Sequence, residues 1–206
     1  FHSVLGITAI FHISSNLTKI AFFKNGFDKK LILTIGIPAI LFVIAGAYLS
    51  KFINITILET VLSSFIIVVS SALLIDSKLS LKPSTSNSII GGVLSGFIAG
   101  LVGTGGAIRG ITLAAFNLRT EVFIATSALI DLGIDSSRGV VYYLNGYVHN
   151  HDLYLIPILL VVSIAGTYTG KKILQRVSEK LFKSIVLILA LITGIVTLSK
   201  ILFMHN

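Results

Sequence analysis

The chain of 206 residues has no cysteine and no tryptophan, one methionine, three prolines, and charged side chains at only 12% of positions. Without cysteine there is no disulfide framework, no thiolate nucleophile and no Cys-based metal site. The five histidines lack the His-x-x-x-His spacing of helical ligands, and His149 and His151 stand in a polar turn, so no metal or other cofactor is expected. Acidic residues are scarce, 8 against 16 Lys plus Arg, for a formal charge of +8. The basic residues flank apolar runs instead of forming a stripe interleaved with aromatics, so nucleic acid is not an expected partner and topology is what they encode. A basic start followed by a cleavage site is also missing, as is an initiating Met, and the chain is expected to begin inside an element.

What is present is apolar. At 54% hydrophobic with a mean hydropathy of +0.98, the chain exceeds a soluble domain's roughly 45–50% apolar and falls below its roughly 25% charged content. The apolar runs are long and continuous, not alternating in segments of about ten residues, so they indicate helices spanning a bilayer and not a barrel. A helix is expected over 1–24. Apolar spans follow at about 31–50, kinked by Pro38, and at about 57–75, closed by Asp76. Residues 77–88, rich in Ser, Lys and Pro, form an aqueous linker. A Gly-rich segment runs to Phe116, a polar helix covers 122–143, and two more spans lie at 153–170 and 181–203.

The chain is organised around residues 91–110, which hold eight of its 18 glycines. Gly92, Gly96, Gly100 and Gly103 give a bare helix face that admits a neighbouring backbone. Gly103-Thr-Gly-Gly106 then concentrates residues that each cost a helix about 1 kcal/mol relative to alanine, so a break and a new helix start are expected. In lipid the N–H groups freed by a break need partners, and an anion suits a helix N-terminus. Gly103, Thr104, Gly105 and Gly106, with Arg109 just beyond and Ser127, are therefore the candidate substrate-binding residues.

Internal repetition is also legible. Phe22-Phe23-Lys-Asn-Gly26 matches Tyr142-Tyr143-Leu-Asn-Gly146 at an offset of 120 residues. At the same offset Gly46-x-Tyr48-x-x-Lys51 matches Gly166-x-Tyr168-x-x-Lys171, Glu59 matches Glu179 and Ser64 matches Ser184. This divides the chain into a first repeat, 1–76, without its N-terminal part, the linker 77–88, and a second repeat, 89–206. The first repeat has no copy of 86–124, so a further Gly-rich segment of about 35–40 residues is expected before Phe1. Glu59 and Glu179 are expected at equivalent helix starts, where a carboxylate suits the dipole.

Each repeat carries a polar helix stripe. Ser127, Asp131, Asp135 and Arg138 lie along one face, and Thr8, His12, Asn16 and Lys19 repeat the spacing at an offset of 119. A charge at a membrane helix centre costs about 2.5–3.5 kcal/mol, so this face must turn inward. Asp131, Asp135, Arg138, His12, Asn16 and Lys19 are the candidates for proton coupling or charge pairing, with an internal Asp135–Arg138 salt bridge as the plainer alternative. Two carboxylates on one helix face do not oppose each other across a site, which argues against an intramembrane aspartyl protease; no enzymatic activity is expected.

Basic residues choose between two topologies. If the Gly-rich segment crosses once, six basic residues fall on one side and seven on the other. If it enters and returns at Gly103–Gly106, the loops 24–30, 77–88, 117–121 and 171–183 share a side and the count is eleven against two. The positive-inside rule selects the second, with inverted repeats. The expected fold class is all-α: a polytopic helical membrane protein with two inverted structural repeats and a broken Gly-rich helix.

Gly92–Gly106, the run Ala125-Thr-Ser-Ala-Leu-Ile-Asp-Leu-Gly-Ile-Asp-Ser-Ser-Arg138 and Val141-Tyr-Tyr-Leu-Asn-Gly146 together resemble the second repeat of the sulfite exporter TauE/SafE family. The resemblance implies a multi-pass permease of the cell inner membrane, moving small sulfur-containing anions such as sulfite or organosulfonates with ion coupling. An anion channel is the alternative. A small anionic substrate and the lipid bilayer are the implied partners, and a homodimer is left open. Ala107 stands where many members have a further glycine, and Arg109-Gly110-Ile111 where many have a proline, which leaves the anion itself open.

Overall fold

A computed structural model describes residues 2–24, 26–49, 52, 55–76, 79–102, 105–144, 146 and 154–204. Every regular element among them is helical. In chain order these are α1 (His2–Phe22), α2 (Lys29–Leu31), a π turn (Ile32–Gly36), α3 (Ile37–Leu49), α4 (Ile55–Ile75), α5 (Thr85–Val102), α6 (Gly106–Ala115), α7 (Thr120–Leu144), α8 (Leu155–Leu174) and α9 (Glu179–Met204). Four stretches among the described residues are long and apolar enough to cross a membrane: Lys29–Gly46, Thr56–Ile75, Leu155–Leu174 and Glu179–Phe203. Only 6% of the third window is buried in the protein. Its outward side chains between Ile156 and Ile164 are apolar, Ile158, Val161, Val162 and Ile164 among them, as lipid contact requires. The expected kink at Pro38 takes a specific form. Proline cannot donate to the carbonyl four residues back, and the helix answers with the π turn that ends at Gly36.

The helices form two compact units, each drawing on both halves of the chain. The first comprises 1–32 and 120–178, the second 33–119 and 179–206.

In the first unit α1 packs on α7 and α8. Asn16 meets Asp135, Ile13 lies by Gly139, and Gly26 sits on the Glu121 carbonyl, so α1 and α7 run antiparallel. At the end of α1, the Lys171 ammonium donates to the Phe22 carbonyl at 2.6 Å and lies 5.3 Å from the Phe23 ring centroid. A lysine from α8 thus caps the negative end of α1. In the turn that follows, Asp28 accepts from the Leu31 N–H at 3.0 Å, and its own N–H donates to the Thr126 hydroxyl at 3.2 Å. Lys24, Lys29, Lys30, Lys171, Lys172 and Arg176 all belong to this end of the unit.

In the second unit the glycine stripe seats α5 on α3. Gly92 faces the Ile35 backbone, Gly96 the Ala39 backbone, and Gly46 of α3 faces Phe97 and Gly100, so these two helices run parallel with their backbones touching. Helix α6 turns back along α5. Gly105 lies against Ser95 and Ala99, Gly91 against Thr112, and the Leu81 N–H donates to the Ala115 carbonyl at 2.8 Å. In one continuous helix residues 91 and 112 would be about 32 Å apart, so α5 and α6 are separate helices that run back along each other. Gly103 and Thr104 lie outside the described residues. Helix α6 ends at Asn117, whose φ of +52° is the left-handed conformation that asparagine tolerates after a helix. Helix α9 packs antiparallel on α4, with Gly194 against Ser63, Ile66 and Ile67. Glu179 opens α9, but Glu59 lies one turn inside α4, which begins at Ile55, so the equivalence of the two helix starts is looser than the sequence match.

Candidate functional site

The second unit encloses α6, a helix of 10 residues that extends about 15 Å and cannot cross a bilayer core of about 30 Å. Its ridge Ile108, Ile111, Leu113, Ala114 and Ala115 is buried within the unit. Gly105 precedes it with α-helical φ and ψ of −66° and −15° and, being glycine, offers no side-chain cap of its own. The first intrahelical bond runs from the Arg109 N–H to the Gly105 carbonyl, so the N–H groups of Gly106, Ala107 and Ile108 point out of the helix end.

Arg109 is 4% exposed and folds back towards that end: its Nη2 lies 3.7 Å from the position a Cβ on Gly106 would take. A guanidinium fork and a set of helix N-terminal N–H groups therefore meet beside Gly106, which is itself exposed. Such an arrangement presents several donors to the oxygens of one anion.

The polar stripes meet in the first unit. The Asn16 amide donates to Asp135 Oδ2 at 3.0 Å, and Lys19 Nζ donates to Asn16 Oδ1 at 3.2 Å. Asn16 and Asp135 are 2% and 4% exposed, so the network is inside the protein, where an unmade hydrogen bond is costly. Ser127 donates its hydroxyl to Asp131 Oδ2 at 3.1 Å, joining two of the candidate residues one turn apart. His12 is exposed, with its ring beside Phe11 at 5.9 Å and outside this network. The Arg138 side chain lies outside the described residues, as do His149 and His151.

Asn16→Leu is expected to lower stability by about 1.5–3 kcal/mol, because the buried Asp135 carboxylate loses a donor. Adding Asp135→Leu should recover part of that loss, as replacing both partners by apolar groups removes the unmet demand. Thermal melts of the two variants in detergent check the sign.

Two features escaped the sequence reading. Thr126 is fully buried and receives the Asp28 N–H, a role signalled only by its place next to Ser127 on the inward face. Lys171, counted as a topology signal, is also a helix cap.

Comparison with known proteins agrees with the membrane-helical architecture. The sulfite exporter TauE/SafE family matches residues 1–197. A protein of Methanocaldococcus jannaschii described as a probable membrane transporter protein is 30% identical over 166 residues. That match covers 73% of this chain and 61% of the relative, so the chain spans about three fifths of that protein's length. No solved structure matches. With the family matched over nearly the entire chain, from the glycine stripe through both polar helices, the protein belongs to the sulfite exporter TauE/SafE family.

Proposed function

We propose that the protein is a secondary transporter that moves small sulfur-containing anions, sulfite or organosulfonates, across the cell inner membrane as a multi-pass permease with ion coupling. One observation carries this reading. Arg109, buried, holds its guanidinium against the N-terminus of a helix too short to cross the membrane. Charge buried in a membrane protein is costly and marks substrate pathways, and the fork-plus-amide geometry suits a tetrahedral or pyramidal oxyanion. The Lys19–Asn16–Asp135 network and the Ser127–Asp131 pair supply the carboxylates that could exchange a proton as the anion leaves. The test is flux of labelled sulfite and of a small organosulfonate into liposomes, with and without a pH gradient. Accumulation against the anion gradient is expected. Equilibration alone would make the protein a channel, and no flux of either anion would remove the substrate class.

The carrier reading includes two inverted repeats, which the following pairings support. Helices α1 and α7 are sequence equivalents, and Asn16 and Asp135, 119 residues apart, are mates that touch. Two equivalent helices that run antiparallel are related by a two-fold axis across them, the relation of inverted-topology repeats. Helices α4 and α9 behave alike. Gly194 lies by Ser63 and Ile67, and their mates at an offset of 120, Leu74 with Lys183 and Leu187, line one recess. Ser70 and Ala190, mates at the same offset, are both buried.

Each unit also carries a cluster of basic residues at one end. In the second unit Lys82, Arg119, Lys180 and Lys183 lie at the end opposite Lys200. By the positive-inside rule these ends face the cytoplasm. In this cysteine-free chain, Ser84→Cys should react with an impermeant maleimide only after permeabilisation and Lys200→Cys from outside intact cells. The reverse pattern would invert the topology.

A further inference from the structure

Within the second unit, the end of α4, the first turns of α9 and the turn after α6 surround a recess of about 400 Å³. Its floor is apolar, made by Leu73, Leu74 and the nearly inaccessible Leu187. Its rim carries Lys180 and Lys183, three residues apart and so on one helix face, together with Asn117 and the Glu179 carboxylate. Ser184 also lines it, but its hydroxyl donates to the Lys180 carbonyl at 3.1 Å, which leaves the two ammonium groups and the Asn117 amide as donors. Two cations against one carboxylate make the rim net positive. Beside this face of α9, the stripe Leu181, Ile185 and Ile188 is exposed and apolar. The recess sits where the span-length stretches Thr56–Ile75 and Glu179–Phe203 end and begin, at the level of lipid headgroups.

We propose that this recess binds the phosphate head of an anionic membrane phospholipid. Lys180, Lys183 and Asn117 hold the phosphate oxygens, and an acyl chain lies along Leu181, Ile185 and Ile188. A free oxyanion could use the same donors, but it has no use for the apolar floor or for the stripe beside it. A zwitterionic head brings a cation towards the two lysines. Basic pockets beside membrane helices on the cytoplasmic side are suited to anionic headgroups.

The test is native mass spectrometry of the purified protein in detergent, titrated with phosphatidylglycerol, phosphatidylcholine, glycerol phosphate or inorganic phosphate. Phosphatidylglycerol should be retained in preference to phosphatidylcholine, and neither soluble phosphate should displace it. Lys180→Gln with Lys183→Gln should weaken its binding about thirtyfold, and Glu179→Gln should strengthen it several-fold. Equal retention of phosphatidylcholine, displacement by glycerol phosphate, or unaltered binding in the double variant would each overturn the proposal. If the double variant does not fold, Glu179→Gln alone decides, because unchanged binding there also overturns it.

Discussion

Arg109→Lys is expected to reduce sulfite flux about 10- to 100-fold while the protein stays folded and inserted. The substitution keeps the charge and removes the planar fork. Arg109 is buried with its guanidinium turned back to the α6 N-terminus, beside the amides of the first turn. A hydrogen bond to a charged group contributes about 1.5–3 kcal/mol, which is the origin of the expected factor. The loss should appear in the concentration dependence of flux. Asp131→Asn should behave differently. Its side-chain carbonyl can still accept from Ser127, so affinity should change little, while the pH dependence of flux should flatten if this carboxylate carries the coupling proton. Normal flux in Arg109→Lys would assign the arginine to packing and leave the α5–α6 hairpin as a structural element alone.

The second large effect is on stability. Gly92→Ala and Gly96→Ala should each destabilise the protein, because a Cβ at either position overlaps the backbone of α3 or of the π turn before it, at Ala39 and at Ile35 respectively for Gly96 and Gly92. A backbone cannot move aside as a flexible side chain does, so the two helices must separate along their contact. Overpacking of this kind costs about 1–3 kcal/mol, more than the roughly 1 kcal/mol that alanine gains over glycine in helix propensity. On α8 the balance reverses. A Cβ added at Gly166 or Gly170 would have nothing within 4 Å, so alanine there meets no obstacle and the propensity gain stands. Detergent melting curves should therefore drop for Gly92→Ala and Gly96→Ala and hold or rise for Gly166→Ala and Gly170→Ala. A shared response at all four positions would show that packing against α3 does not distinguish them.

Particular elements show which features local sequence could reveal. Helix α4 was legible to within two residues at its start, because an unbroken apolar run in lipid has to satisfy its own backbone and its length is set by the bilayer. The ends of α5 and α6 around Gly103–Gly106 were legible for a related reason, since the intrinsic cost of consecutive glycines acts on a few residues at once. The π turn before Pro38 was half legible. Proline predicts a disturbance, but which backbone geometry absorbs it depends on the neighbouring helix α5 packed along Ile35 and Ala39. Among the site candidates, the spacing put Ser127 and Asp131 one turn apart and within reach, and the hydrogen bond between them follows from helix geometry. His12 shares that spacing with Asn16 but is exposed, because periodicity assigns a face and not the partner that covers it.

The sequence by itself determined that this is a helical membrane protein with basic flanks, a glycine-rich segment and two polar helices whose stripes share a spacing. These properties rest on composition, on short-range propensity and on comparison of the chain with itself. Only the tertiary structure decided that Asn16 touches Asp135, that α6 folds back on α5 and that Arg109 reaches the start of its own helix. It also decided that each compact unit is built from both halves of the chain. The physical reason is the same in each case. Apolar helices in lipid have no hydrophobic preference among neighbours, so close packing of small residues and pairing of buried polar groups choose the partner, and both are long-range matters that no single stretch of sequence contains.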